Sequence, residues 1–320
     1  MANAFIFPGQ GSQSVGMGKA LAAEFPQAAA VFAEVDDALG QKLSTLMFEG
    51  PEGDLTLTAN AQPALMAVSM AVIRVLEAEA GLDLARDAKF VAGHSLGEYS
   101  ALAAAGAFTL ADTARLLRLR GDAMQKAVPV GEGAMAAILG LEFGPVAAIA
   151  TEAAREFYLQ GAICQAANDN GGGQVVISGT KSAVEKAMEL AKAAGAKRTL
   201  LLPVSAPFHC ALMQPAAEAM AAALAGVNIH APSAPLVANV LAAPITDSAE
   251  IRQRLVEQVT GTVRWRESVA YMAAHGVAHF YEIGAGKVLS GLVKRIADSA
   301  TGTSVGTPAD IAAFKTARQG

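Results

Sequence analysis

Lys89-Phe90-Val91-Ala92-Gly93-His94-Ser95-Leu96-Gly97-Glu98 is the stretch on which the fold turns. Residues 89–92 read as a short buried strand, and Glu98 opens an apolar helix that runs to residue 105 and ends at Gly106. Between them, Gly93-His94-Ser95-Leu96-Gly97 fits G-x-S-x-G, a tight strand-to-helix turn that exposes a serine hydroxyl. The pattern alone is weak, because Gly302-Thr303-Ser304-Val305-Gly306 fits it too. Context separates them. Ser304 follows the polar run 298–301 and its next helix waits for Pro308, so it reads as a turn residue or helix cap. Ser95 lies between a strand and an apolar helix and reads as a nucleophile.

The same alternation spreads outward from this turn. Residues 4–7 form an apolar strand ended by Pro8-Gly9, and helical text follows at 17–39, 64–80 (with Pro63 in its first turn) and 112–127. Strands alternating with helices predict an α/β fold with a mostly parallel sheet. The middle of the chain differs. Strand 134–139, helix 143–155, strands 163–167 and 174–178 around the turn Asn168-Asp169-Asn170-Gly171-Gly172-Gly173, helix 182–194 and strand 198–204 follow the order β-α-β-β-α-β, the ferredoxin-like pattern. This predicts a small domain, residues 128–203, inserted into a larger one built from 1–127 and 204–320.

Composition narrows the function classes. At roughly 150 residues per domain, 320 residues suit about two domains. With 53% hydrophobic and 17% charged residues the chain is no disordered protein. A net charge of −5 excludes a charge-driven nucleic-acid binder. Two cysteines, Cys164 and Cys210, cannot form a disulfide scaffold or a cysteine metal cluster. The start of the chain has no basic n-region, and its apolar run is too short for a signal sequence. Residues 219–246 carry no charge, but Pro232, Pro235 and Pro244 break them into buried helix, loop and strand rather than a membrane span. The expectation is a soluble, reduced, cytoplasmic protein with no metal and no permanently bound cofactor.

A serine nucleophile needs a base. Of five histidines, His94 adjoins Ser95 and is placed to support the turn. His230 sits in an apolar, proline-rich run, and His275 and His279 lie four apart with only Glu282 nearby, a pattern of surface or packed side chains. His209 stands out: it follows Pro203-Val204-Ser205-Ala206-Pro207-Phe208, just beyond the strand that re-enters the large domain. No Asp or Glu lies between Glu189 and Glu218. A full triad would need a distant acid such as Asp169, so a serine–histidine dyad oriented by another acceptor is the simpler reading. The loop Pro8-Gly9-Gln10-Gly11-Ser12-Gln13 fits neither a dinucleotide fingerprint nor a P-loop. Its N–H groups can join that of Leu96 in an oxyanion hole. Helix 112–127 carries Arg115, Arg118 and Arg120, and one aimed into the site would select an acyl group bearing a carboxylate.

Eight runs then tie the chain to a known family: FPGQGSQ (7–13), QPAL (62–65), GHSLGEYSAL (93–102), RLRG (118–121), GAMAAILGL (133–141), GQVVISG (173–179), FHCALM (208–213) and EIGAGKVLSGL (282–292). In this order they resemble the malonyl-CoA:acyl carrier protein transacylases. The resemblance implies a large α/β-hydrolase-like domain with a ferredoxin-like insert. It implies Ser95 as acyl acceptor, His209 as general base and acid, backbone N–H groups of Gln10 and Leu96 as oxyanion hole, and Arg120 on the malonyl carboxylate. Gln258 would orient His209 through its main-chain carbonyl, while Gln62, Asn168 and Phe208 would line the site. The substrates implied are malonyl-CoA and phosphopantetheinylated acyl carrier protein, with no nucleic acid, no membrane and a monomeric enzyme. A carrier protein of polyketide synthesis, or a serine thioesterase or hydrolase of the same fold, are the alternatives.

Overall fold

The computed structural model describes residues 2–204 and 206–319; Met1, Ser205 and Gly320 lie outside the described residues, among them the serine of the run that precedes His209. The strands are β1 (Ala2–Phe7), β2 (Ala88–Gly93), β3 (Gly133–Leu139), β4 (Cys164–Asp169), β5 (Gln174–Thr180), β6 (Arg198–Leu201), β7 (Leu236–Ala238), β8 (Ala243–Ile245), β9 (Val277–Ile283) and β10 (Thr301–Val305). Six of them form one sheet in the order β10-β9-β1-β2-β7-β8, parallel except for the β7–β8 pair. The central strands β1 and β2 are apolar runs with no alternation, because helices cover both faces of the sheet. Phe5, Phe7 and Val91 face a core shared with helix Thr58–Ala80, while Ile6 and Ala92 pack with Trp265, Val269, Leu289 and Val293.

The second sheet is antiparallel, in the order β4-β5-β3-β6. Its strands alternate as a two-faced sheet should. Ala136, Ile138 and Ile177 meet Val146, Ala150, Val184 and Ala187 of helices Phe143–Glu156 and Lys181–Ala193. Met135, Ala137 and Val176 turn the other way and join the main core.

Where the elements depart from expectation, proline and tertiary packing explain it. The helical text 17–39 divides into Lys19–Glu24 and Pro26–Leu39, since Pro26 has no N–H to continue the first helix. Helix Thr58–Ala80 starts six residues before the expected 64, placing Pro63 inside it rather than in its first turn. The strand expected over 198–204 ends at Leu201, two residues before Pro203. Ser304 lies within β10, paired with Glu282 of β9, and not in a turn. Helix Thr58–Ala80 is also long and apolar enough to cross a membrane, with 83% of its apolar window buried inside the protein.

One close approach positions the site. Helix Leu110–Lys126 packs on helix Thr58–Ala80 at Gly121, where a Cβ would stand 2.5 Å from Ala59 Cα and 2.7 Å from the Thr58 carbonyl oxygen. Backbone cannot yield as a side chain can. Gly121→Ala is therefore expected to lower stability by about 1–3 kcal/mol, seen as an earlier midpoint in urea; an unchanged midpoint would contradict this packing.

Candidate active site

Phe7 of β1 and Gly93 of β2 are register partners, so the loops after both strands emerge side by side at the carboxyl edge of the sheet. His94 N–H donates to the Phe7 carbonyl at 3.0 Å and begins the turn. Both glycines of the motif are required by contact. A Cβ on Gly93 would lie 1.9 Å from the Gly97 carbonyl, and one on Gly97 would lie 2.2 Å from the Phe7 carbonyl oxygen. Ser95 itself sits in the left-handed region at φ 55°, a strained conformation for a side-chain-bearing residue. Asn239 holds it there: its Oδ1 accepts the Ser95 N–H at 2.8 Å and its Nδ2 donates to the Gly93 carbonyl at 2.7 Å.

Ser95 Oγ lies 2.7 Å from His209 Nε2. His209 also has a left-handed backbone, φ 58°, and its Nδ1 faces the carbonyls of Gln258 at 2.9 Å and Gly261 at 3.2 Å. Carbonyls only accept, so Nδ1 carries the proton, and in the neutral ring Nε2 is the acceptor for the serine hydroxyl. Asp169 does not serve the histidine; its carboxylate pairs with Arg266 at 2.8 Å. Burial, and then the positive charge of Arg120, drive the imidazole pKa down to about 3 against the pull of the two carbonyls.

Helix Leu110–Lys126 sorts the three arginines by face. Arg115 pairs with Asp112 at the surface, and Arg118 donates to Asn60 and Gln41. Arg120 points inward and is 1% exposed. Its guanidinium donates to Gln62 Oε1 at 2.8 Å, to Gln258 Oε1 at 2.8 Å and to Ser95 Oγ at 3.1 Å. A buried cation without a directly paired carboxylate is costly unless an anion arrives.

A cleft of about 330 Å³ opens over these groups, between the two sheets. Gln10, Gln62, Leu96, Arg120, Asn168, Phe208 and His209 all line it with Ser95, so every site residue that the family resemblance implies, except Gln258, meets there. Gln258 lies beneath, fully buried. Neither the Gln10 nor the Leu96 N–H has a hydrogen-bond acceptor among the described residues, which leaves two donors free beside the serine. Asn168 lies at the end of β4, whose edge runs beside Val263. His94 Nε2 bonds Asn170 Oδ1 at 2.9 Å, linking the turn to the β4–β5 hairpin. His275 stacks on Tyr271 and His279 bonds Thr301, away from this cleft. No group of three potential metal ligands occurs among the described residues.

Two buried residues escaped the sequence reading. Asn239 was hidden in the chargeless stretch, its one signal being a polar side chain just past an apolar strand. Glu98, 1% exposed, is the single residue of charged type in helix Gly97–Ala104. Burial pushes its pKa up to about 7, opposed by the Gln258 amide, the Asn239 backbone and the charge of Arg120.

A serine bonded to a neutral histidine, flanked by two free amides and an arginine, is equipped to form and break an acyl ester. The acyl transferase domain family matches residues 4–312. The malonyl CoA-acyl carrier protein transacylase of Escherichia coli K12 is 49% identical over 310 residues, 97% of each chain. That of Bacillus subtilis strain 168 is 49% identical over 293 residues, 92% of this chain and 90% of its own. The crystal structure of acyl-carrier-protein-S-malonyltransferase from Bartonella henselae superposes with a TM-score of 0.96 at 59% identity, covering all of both chains. A malonyl-transacylase solved with a type II PKS acyl-carrier protein gives a TM-score of 0.94 at 44% identity, over 99% of this chain and 100% of that one. The chain belongs to the malonyl CoA-acyl carrier protein transacylases of the acyl transferase family.

The depressed imidazole pKa has a kinetic signature. The base form persists as pH falls from 7 to 5, so the single-turnover rate of Ser95 acylation should change less than about threefold. An unperturbed imidazole of pKa about 6.5 would lose about 25-fold over that range. A fall centred near pH 6.5 in stopped-flow acylation would contradict the assignment.

Proposed function

We propose that this enzyme carries the malonyl group from malonyl-CoA to the phosphopantetheine thiol of holo acyl carrier protein by way of a malonyl ester on Ser95, supplying extender units for fatty acid synthesis. Ser95 Oγ attacks the thioester carbonyl as His209 Nε2 takes its proton. Negative charge develops on the carbonyl oxygen, which accepts from the N–H groups of Gln10 and Leu96. Collapse breaks the carbon–sulfur bond, and the proton on His209 passes to the departing coenzyme A sulfur. In the second half the carrier's thiol gives its proton to His209 and attacks the ester, and the returning proton restores Ser95.

The observation that carries malonyl as the acyl group is Arg120. A fully buried guanidinium 3.1 Å from the nucleophile has no purpose for a neutral acyl chain, yet pairs naturally with a carboxylate two carbons from the ester. Gln62 braces the guanidinium, and Asn168 and Phe208 shape the cleft around the chain. His209 is held by the Gln258 carbonyl. The sheets are read as an α/β-hydrolase-like domain of residues 1–127 and 204–320 carrying a ferredoxin-like domain of 128–203, a reading supported by the strand order of the second sheet. The enzyme acts as a cytoplasmic monomer without a resident cofactor. A polyketide carrier protein is a second acceptor to consider, because one solved relative was captured with one; a hydrolase would need water in place of a thiol.

Intact-protein mass spectrometry separates these outcomes. Malonyl-CoA alone should leave a malonyl adduct that Ser95→Ala abolishes and that holo acyl carrier protein removes as its own malonyl thioester. An adduct released only as free malonate would make the protein a hydrolase. Arg120→Ala should lower the preference for malonyl- over acetyl-CoA by about 10- to 100-fold, as loss of a charged hydrogen-bond pair of about 1.5–3 kcal/mol requires. An unchanged preference would remove Arg120 from acyl selection.

A further inference from the structure

The peptide that carries the Leu96 N–H is also the peptide that carries the Ser95 carbonyl. In a trans peptide these two groups point in opposite directions, so whatever holds the carbonyl aims the amide. The Ser95 carbonyl accepts from Gln258 Nε2 at 2.9 Å, beneath the turn, which leaves the Leu96 N–H facing the cleft. The second hydrogen of the same amide goes to Glu98 Oε2 at 2.5 Å. With both hydrogens committed to the Ser95 carbonyl and a Glu98 carboxyl oxygen, Gln258 Oε1 is turned toward Arg120, 2.8 Å away. One buried side chain thus ties the donor beside the ester carbonyl to the cation beside the acyl carboxylate, and Glu98 anchors it from behind.

We infer that Glu98 is a positioning residue for the acyl-transfer reaction, acting through the Gln258 amide on both the Leu96 N–H and Arg120. This rests on the malonyl-transfer reading above and goes beyond it. Simple bracing explains Glu98 poorly. Its Oε1 has no hydrogen-bond partner, and a buried carboxylate left half-satisfied is a poor structural strut. What Glu98 provides is an acceptor that fixes which way round the Gln258 amide sits. Gln258 needs that guidance, since an amide can otherwise flip and offer its NH2 to Arg120.

Two variants test this, Glu98→Leu, which removes the acceptor, and Glu98→Gln, which keeps one in the same shape. Single-turnover loading of Ser95 is followed by intact mass with malonyl-CoA and with acetyl-CoA. Glu98→Leu is expected to slow loading at saturation by about tenfold or more with either thioester, since the oxyanion donor serves both. It should raise the half-saturating concentration for malonyl-CoA alone, since only that substrate reads Arg120. Glu98→Gln should restore most of the rate. A residue that merely supported the fold would lower the thermal midpoint without separating the two substrates. Parental loading by a folded Glu98→Leu, equal changes in half-saturation for both thioesters, or a Glu98→Gln no better than Glu98→Leu would each overturn the inference. If Glu98→Leu does not fold, Gln258→Met, which retains the main-chain carbonyl on His209, decides by the same two readings. Arg120→Ala in the same assay keeps the two readings apart. If it too leaves malonyl loading untouched, the fault lies in the role of Arg120 and not in Glu98.

Discussion

Everything in this enzyme's site depends on a single contact, Ser95 Oγ to His209 Nε2 at 2.7 Å, made between residues 114 apart in sequence. Neither residue reaches it from ordinary backbone. Both lie in the left-handed region, at φ 55° and 58°, and each such conformation costs on the order of 1–3 kcal/mol unless its surroundings enforce it. The surroundings do. Two glycines let the serine turn pack against β1, Asn239 pins the turn from both sides, and the carbonyls of Gln258 and Gly261 seize the histidine ring. Of the three left-handed non-glycine residues among the described residues, two, Ser95 and His209, are the pair that meets in the cleft; the third is Ala242.

The electrostatics follow from burying a cation beside that pair. Arg120 keeps its charge; burial first, and that charge second, hold the neighbouring imidazole neutral, and the serine hydroxyl lies against both a base and a positive group. A carboxylate on the histidine would neutralise this field, and among the described residues the ring's Nδ1 meets only carbonyls. The main-chain carbonyls orient the ring without adding charge. The acyl carboxylate of the substrate is the anion that completes the site, which makes substrate selection and electrostatic balance the same event. Glu98, screened from Arg120 by the Gln258 amide, supplies a partial counterweight until then.

Much of this was legible in the sequence because the chemistry is concentrated in local patterns. A strand, G-x-S-x-G and an apolar helix gave the nucleophile, and the lack of any acid between Glu189 and Glu218 led to a dyad rather than a triad. The β-α-β-β-α-β order was readable because each short strand is bounded by glycines or a proline. Arg120, by contrast, could not be told from Arg115 and Arg118 by spacing. Its burial depends on which face of its helix meets helix Thr58–Ala80, a tertiary fact set at Gly121. Asn239 and Glu98 were harder still. Asn239 acts on the backbone of a turn far away in sequence and Glu98 on the side chain of Gln258, 160 residues on, and no local pattern marks a side chain with such a partner. The misplaced starts and ends were proline effects, and Ser304 was claimed by pairing with β9, which its own flanking residues do not reveal.

Among the described residues, main-chain carbonyls and no acid hold the His209 ring as a neutral base. Two-dimensional 15N–1H spectroscopy of the histidine ring nitrogens, with His209 assigned by substitution, tests it most directly. At pH 6 the ring is expected to be neutral and protonated at Nδ1, with an unprotonated Nε2 facing Ser95. A doubly protonated ring at that pH, or a proton on Nε2 alone, would contradict it.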